Sequence, residues 1–361
     1  MIDYAGFDDT LLVTVCERFL GEHKVIDIVE WLQEEHGVAI KRENIYPLLR
    51  EARKRGFLSV HPPPDGLLRQ RICDRFDQKK DNVHVLRVRG ETSRDHVADA
   101  AAELIVKLIH EVGEDKKRVR IGLGGGGTIM EASRALASRL RSESSLPDLA
   151  LHAVTSGFDV ANPWTAPVCF LAYFAEAAPN IEYVGLFAPP AVEAREYEHA
   201  KSRPGVAESF RMAKDIDIVV TSMASAHDEH GELNRFMNFG GKKNRRLASL
   251  KKSGWVGDVI YHPYAKSGPI ATTEGMRAVS LFDLEDLIAL AARPKKHVVL
   301  VVAPCGICGK SKGNALRPLL ENRGLKLWSH LFLDLTTAQS LLPKEDGADG
   351  NGHGASIPSA R

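Results

Sequence analysis

From residue 83 onward the chain alternates short runs of Val, Ile and Leu with stretches of helical periodicity. The apolar runs fall at 83–88, 119–123, 149–154, 181–186, 216–221, 256–260, 298–303 and 326–333. Helical stretches such as 97–112 and 129–140 lie between most of them. A strand that is apolar on both faces must be covered on both. A helix between two strands returns the chain so that the second lies parallel to the first. The pattern predicts an α/β domain with a Rossmann-like, mostly parallel sheet. No run approaches the roughly 20 apolar residues that cross a bilayer, so no membrane association is expected.

In sheets of this kind ligands collect beyond the C-terminal ends of the strands. Run 119–123 leads directly into Gly124, Gly125, Gly126, Gly127 and Thr128 before a helix. Four glycines let the backbone approach a ligand closely, and the helix N-terminus adds partial positive charge. Thr128 can cap the helix or give its hydroxyl to an anion. The chemistry suited to this turn is phosphate or carboxylate binding; a plain tight turn without a ligand is the alternative. The lysine of a nucleotide P-loop is missing, and the dinucleotide fingerprint lacks its acid at the end of a second strand. After 149–154 comes a second polar turn, in which Ser156, Asp159 and Asn162 offer groups for sugar hydroxyls or simply an Asx turn before Pro163. Beyond 298–303, Lys312 stands where a cation reaches the same crevice.

Residues 1–64 read as a separate helical module. Asp8, Asp9 and Thr10 are cap candidates for a first helix, a second spans about 25–36, and Asn44 precedes a third with Ile45, Leu48, Leu49 and Ala52 on one face. Pro47 falls in the first turn, where its missing N–H costs little. Residues 57–60 read as a strand that begins a wing. Lys41, Arg42, Asn44, Tyr46, Arg50 and Arg53 supply the polar and basic groups that a recognition helix needs for phosphates and base edges. A docking or dimerisation module with solvated charges is the alternative, favoured by Glu30, Glu34, Glu35, Glu43 and Glu51. Residues 65–84 read as an amphipathic linker helix, and 343–361, rich in Gly, Pro, Ala and Ser, as a disordered tail.

Across 361 residues, 48 Lys and Arg stand against 47 Asp and Glu, so any attraction for nucleic acid must be local. Five cysteines are too few for a disulfide framework, and the N-terminus carries no signal-peptide pattern. A reduced, cytoplasmic protein is expected.

Taken in order, these pieces resemble the SorC-type sugar-binding transcriptional regulators. The carriers are Ile121-Gly122-Leu123-Gly124-Gly125-Gly126-Gly127-Thr128, Gly254-Trp255-Val256-Gly257-Asp258, Lys312-Gly313-Asn314-Ala315-Leu316 and Thr337-Ala338-Gln339-Ser340-Leu341-Leu342. The resemblance covers about residues 85–342. It implies a fold related to glucosamine-phosphate deaminase and ribose-phosphate isomerase, operator DNA as partner, and a dimer or tetramer. It also implies a phosphorylated sugar on 124–128, with Asp258 and Lys312 in the site. The family often has a bulky residue where Gly125 stands and an Arg where Gly127 stands. No cofactor is called for.

Two motifs are set aside at this stage. Cys305 and Cys308 form one C-x-x-C, and a single pair cannot complete a tetrahedral zinc site; a redox role is the other reading. His227-Asp228-Glu229-His230-Gly231-Glu232 has metal-ligand residue types but reads as a hydrated loop, and 242–246 reads as a solvated basic run, with an auxiliary anion contact as the alternative. A sugar-phosphate isomerase or deaminase is the rival function. It would need a general base, for which Asp159 and His262 are the candidates. A metabolite-binding protein that acts through a protein partner is the third reading.

Overall fold

The computed structural model describes residues 7–58, 61–159, 161–178, 180–238, 245–270 and 275–343. The expected tail beyond 343 lies outside them, as do Ser59 and Val60 of the expected wing strand and residues 242–244 of the basic run. Phe57 and Leu58 form a bend rather than a strand.

The N-terminal head is built from α1 (Asp9–Leu20), α2 (Val25–His36) and α3 (Ile45–Lys54). Leu12, Val15, Ile28, Leu32, Ile45 and Leu48 close its core completely. These are the residues with helical apolar spacing, so the three amphipathic faces have only each other to bury against. Asp8 caps α1 by accepting the Leu11 N–H at 3.2 Å. Gly37, in left-handed conformation at φ 65°, ends α2. Asn44 does not cap α3; its Oδ1 accepts the Lys41 N–H at 3.1 Å around a 3-10 turn, Arg42–Asn44.

Helix α4 (Gly66–Phe76), in the segment expected as a linker, does not bridge two bodies. Leu68, Ile72, Cys73 and Phe76 are buried in the core of the α/β domain. Its Asp65 cap and Pro63 hydrogen-bond along the outer edge of β1 (Val83–Leu86).

The remaining strands are β2 (Arg118–Leu123), β3 (Asp148–Ala153), β4 (Ile181–Val184), β5 (Ala191–Glu193), β6 (Ile218–Thr221), β7 (Met223–Ser225), β8 (Trp255–Val259), β9 (His262–Ala265), β10 (Gly268–Pro269), β11 (Met276–Ala278), β12 (His297–Val302) and β13 (His330–Asp334). Around them lie α5 (Ser93–Gly113), α6 (Gly127–Leu140), α7 (Pro167–Phe170), α8 (Tyr197–Lys201), α9 (Val206–Ala213), α10 (Glu232–Asn238), α11 (Arg245–Lys252), α12 (Leu284–Ala291), α13 (Gly313–Glu321) and α14 (Leu335–Ser340).

Seven strands form one sheet in the order β1-β13-β12-β6-β2-β3-β4, and every pair is parallel. Side chains of β12 show why its sequence is apolar without alternation. Val299 and Val301 enter the core under α5 and α6, while Val298, Leu300 and Val302 enter the core on the opposite face. One expectation fails here. Run 256–260 is a strand, but β8 belongs to an antiparallel sheet, β10-β9-β8-β7, beside the parallel one.

The order reverses next to β2. From β2 the chain runs outward to β3 and β4, then returns to β6 on the other side. A crevice opens where the loops after neighbouring strands part in opposite directions.

Candidate functional site: an anion crevice at the sheet reversal

A crevice of about 200 Å³ lies at this point, with walls from the loops after β2, β6 and β12 and from the antiparallel sheet. Its floor is the glycine turn. The Gly124 N–H donates to the Val220 carbonyl at 2.9 Å, and the Gly126 N–H to the Thr165 carbonyl at 2.9 Å. Gly126, at φ +99°, is the N-cap of α6, and with no side chain it caps nothing. Thr128 is therefore inside the helix rather than its cap. The first amides of α6, at Gly127 and Thr128, are left for a ligand.

The glycines also make room. A Cβ on Gly125 would stand 2.3 Å from the Tyr261 hydroxyl. A Cβ on Gly127 would stand 3.3 Å from a terminal nitrogen of Arg94. Arg94, in the first turn of α5, thus brings its guanidinium to the glycine turn.

The crevice holds an unusual concentration of buried charge. Lys312, next to α13, is 8% exposed, and burial pulls its ammonium below the ordinary range; Asp228, Cys305 and Asp258 pull the other way. Asp258, on β8, is 4% exposed, and burial pushes its carboxyl up to about 8, against the opposing attraction of Lys312. Its Oδ2 has no hydrogen-bond partner among the described residues. The Tyr261 hydroxyl donates to Glu232, whose carboxyl is likewise raised by burial. An ammonium, a guanidinium and two helix amides border one small space beside two carboxyls, Asp258 and Glu232, that burial pushes up. Such a set neutralises an oxyanion and leaves donors and acceptors for hydroxyls.

Of the residues singled out in the sequence, Gly125, Gly126, Gly127, Thr128, Asn162, Asp258 and Lys312 line the crevice. Gly124, Ser156 and Asp159 do not. Gly124 is packed against Thr221. The Ser156 hydroxyl donates to the Leu186 carbonyl at 3.2 Å. Asp159 pairs with Arg235 at 2.7 Å, so it braces a lining residue. His262 also stands apart; it lies 2.6 Å from the Ser280 hydroxyl, and burial lowers it to about 4. Neither proposed general base reaches the crevice.

Arg94, Thr221, Ser222, Asp228, Glu232, Arg235 and Tyr261 line it without having been anticipated. Arg94 was discoverable, since it follows the C-terminal end of the first strand. The stretch expected as a hydrated loop supplies Asp228, which is buried, and Glu232.

On the head, Lys41, Arg42 and Tyr46 are exposed around the start of α3. Tyr46 meets Phe19 edge-on, with centroids 6.4 Å apart. Arg50 and Arg53 line a groove facing α5 and α6, across from Asp99, Glu103 and Glu131. Arg55 is tied to Asp9 and Glu51. Exposed basic and polar groups thus run the length of α3, those at its N-terminal end lying outside the groove that Arg50 and Arg53 line.

Among the described residues no helix is long and apolar enough to cross a membrane. A family model described as "Putative sugar-binding domain" matches residues 67–343. No curated protein matches the chain. The full-length sorbitol operon regulator SorC from Klebsiella pneumoniae has a similar structure, with 15% identity, 93% of this chain and 99% of that one covered, and a TM-score of 0.60. A probable sor operon regulator from Shigella flexneri shares 16% identity over 77% of this chain and 99% of that one, with a TM-score of 0.58. A DeoR family transcriptional regulator from Listeria monocytogenes shares 18% identity over 76% and 98%, with a TM-score of 0.56. The resemblance read from the motifs is borne out, and the chain belongs to the sugar-binding domain family.

Proposed function

We propose that this protein is a metabolite-responsive transcriptional regulator that takes a phosphorylated sugar or similar small anion into the crevice and binds operator DNA through its head. The observation that carries the reading is the convergence of the uncapped N-terminus of α6 with Arg94 and Lys312 in one crevice. Phosphate oxygens would take the Gly127 and Thr128 amides, with the two cations closing over them. Asn162, Asp258 and Glu232 would meet hydroxyls. Similar structures include a sorbitol operon regulator and a DeoR family transcriptional regulator, which supports a role in transcription.

Lys41, Arg42, Asn44 and Tyr46 would contact DNA first, followed by Arg50 and Arg53 once the head turns away from α5 and α6. A symmetric operator calls for at least a dimer. The ligand acts by binding one subunit arrangement more tightly than another.

Selection of the purified protein against random-sequence duplexes tests the head. The expected result is a repeated or palindromic site whose affinity falls steeply with salt. Failure to select a site would favour action through a protein partner. A panel of sugar phosphates, followed by calorimetry, tests the crevice. Turnover of any of them would restore the enzyme reading.

A further inference from the structure

The two motifs set aside separately in the sequence meet in the fold. The carboxylate of Asp228, after β7, and the thiols of Cys305 and Cys308, after β12, place one ligand atom each within 4.8 Å of one another. Tetrahedral zinc with bonds of about 2.0–2.3 Å separates its ligand atoms by roughly 3.3–3.8 Å. Reaching that spacing takes side-chain movements of up to about 1.5 Å.

The local backbone is already shaped for thiolate ligands. The N–H groups of Ile307 and Cys308 point at the Cys305 sulfur. The Gly309 N–H donates to the Cys305 carbonyl at 2.8 Å, and Gly309 takes φ +68° to complete the turn. Burial and the neighbouring Asp228 push the Cys305 thiol up, and the two amides oppose them, favouring the deprotonated form that binds metal. On the opposite side, the His230 N–H fixes one Asp228 oxygen at 3.0 Å. The carboxylate is also hydrogen-bonded to the Cys305 thiol, a contact whose proton a metal would displace. Asp228 and Cys305 are buried, whereas Cys308 is exposed and open to entry from solvent.

Charge also balances. Two thiolates and a carboxylate carry one negative charge more than a divalent ion neutralises. Lys312, attracted to both Asp228 and Cys305, supplies the missing positive charge.

We propose that Asp228, Cys305 and Cys308 bind a thiophilic divalent ion, zinc above all, in the wall of the crevice, with a fourth coordination position left to water or to a crevice ligand. Three protein ligands and one open position is an arrangement zinc accepts. Binding releases both thiol protons to solvent, so affinity rises with pH. This site does not depend on the crevice taking a sugar.

The test uses the full chain without an affinity tag, purified under reducing conditions and titrated with zinc and with cobalt. About one equivalent of zinc should remain bound through gel filtration, and cobalt should give a thiolate charge-transfer band. Cys308→Ser and Asp228→Asn should each weaken binding by about tenfold or more. Cys169→Ser, remote from the site, should leave it unchanged. Cys308 is at the surface, so its replacement should keep the fold, with an unchanged circular dichroism spectrum as the check. Zinc binding that survives Cys308→Ser overturns the proposal. So does a chain that takes no zinc and instead forms a Cys305–Cys308 disulfide.

Discussion

At the N-terminal end of the parallel sheet, Asp217 is fully buried and fully served: Lys116 and Lys296 pair with it, and the Arg120 N–H donates to it at 3.0 Å. At the C-terminal end, Asp258 is almost as deeply buried, yet its Oδ2 has no partner among the described residues. One carboxylate ties strands together. The other waits in a space of ligand size. Buried acids in the same domain, one at the parallel sheet and one on the antiparallel sheet beside it, can thus serve stability or recognition, and the state of their partners separates the two.

The pH signs of the two ends are opposite. The bonds to Asp217 hold its carboxyl below its ordinary value, despite the burial that raises it. Its contribution is therefore present above the ordinary carboxylate range and lost as pH falls through the lowered value. Asp258 keeps its proton up to about 8, against an ordinary 3.8, so the folded chain holds the extra proton between those values. Stability from this group therefore falls as pH rises through that window.

The largest expected effect is Asp217→Ala, which removes the acceptor shared by two cations and an amide. It should cost about 3 kcal/mol in denaturant unfolding and leave anion affinity unchanged. A loss of affinity would erase the distinction between the two ends.

Next comes Lys312→Met. Loss of a charge-assisted contact worth about 1.5–3 kcal/mol should lower sugar-phosphate affinity roughly 10- to 100-fold in calorimetry. Stability should fall as well, since the buried Asp228 loses a nearby cation. If affinity survives, the crevice is not the anion site.

Gly125→Ala forces the Tyr261 hydroxyl away from its place. A loss of about 1–2 kcal/mol in stability together with weaker ligand binding is expected, since overpacking and blockage coincide there. The smallest effect belongs to Asp258→Asn. It should flatten the dependence of melting temperature on pH between about pH 4 and about pH 8. It should also remove the fall in anion affinity that the wild type shows as its carboxylate forms above that range. A wild type without that fall would place Asp258 outside the ligand's reach.

What could be read in advance was what neighbours in sequence decide. The seven parallel strands follow from apolar runs needing cover on two faces, and the glycine turn from residues that permit close approach. The crevice's other walls come from positions distant along the chain. Arg94, Asp228 and Tyr261 arrive there through topology, which composition does not encode. Ser156 and Asp159 misled because a polar turn after a strand can spend its groups on its own loops, and here it does. The strand at 256–260 was legible, but not its antiparallel partners, because β7 and β9 are only three and four residues long.

The pairing of β1 with β13, in which Val83 faces Leu331, carries a consequence for how the molecule is made. The first strand of the large domain must wait for almost the last to emerge from the ribosome. Until then β12 presents an open, wholly apolar edge, the kind that recruits foreign strands. Slow completion is built into this topology, because contacts between distant segments form late. A chain cut short before His330 should aggregate rather than fold as a smaller domain.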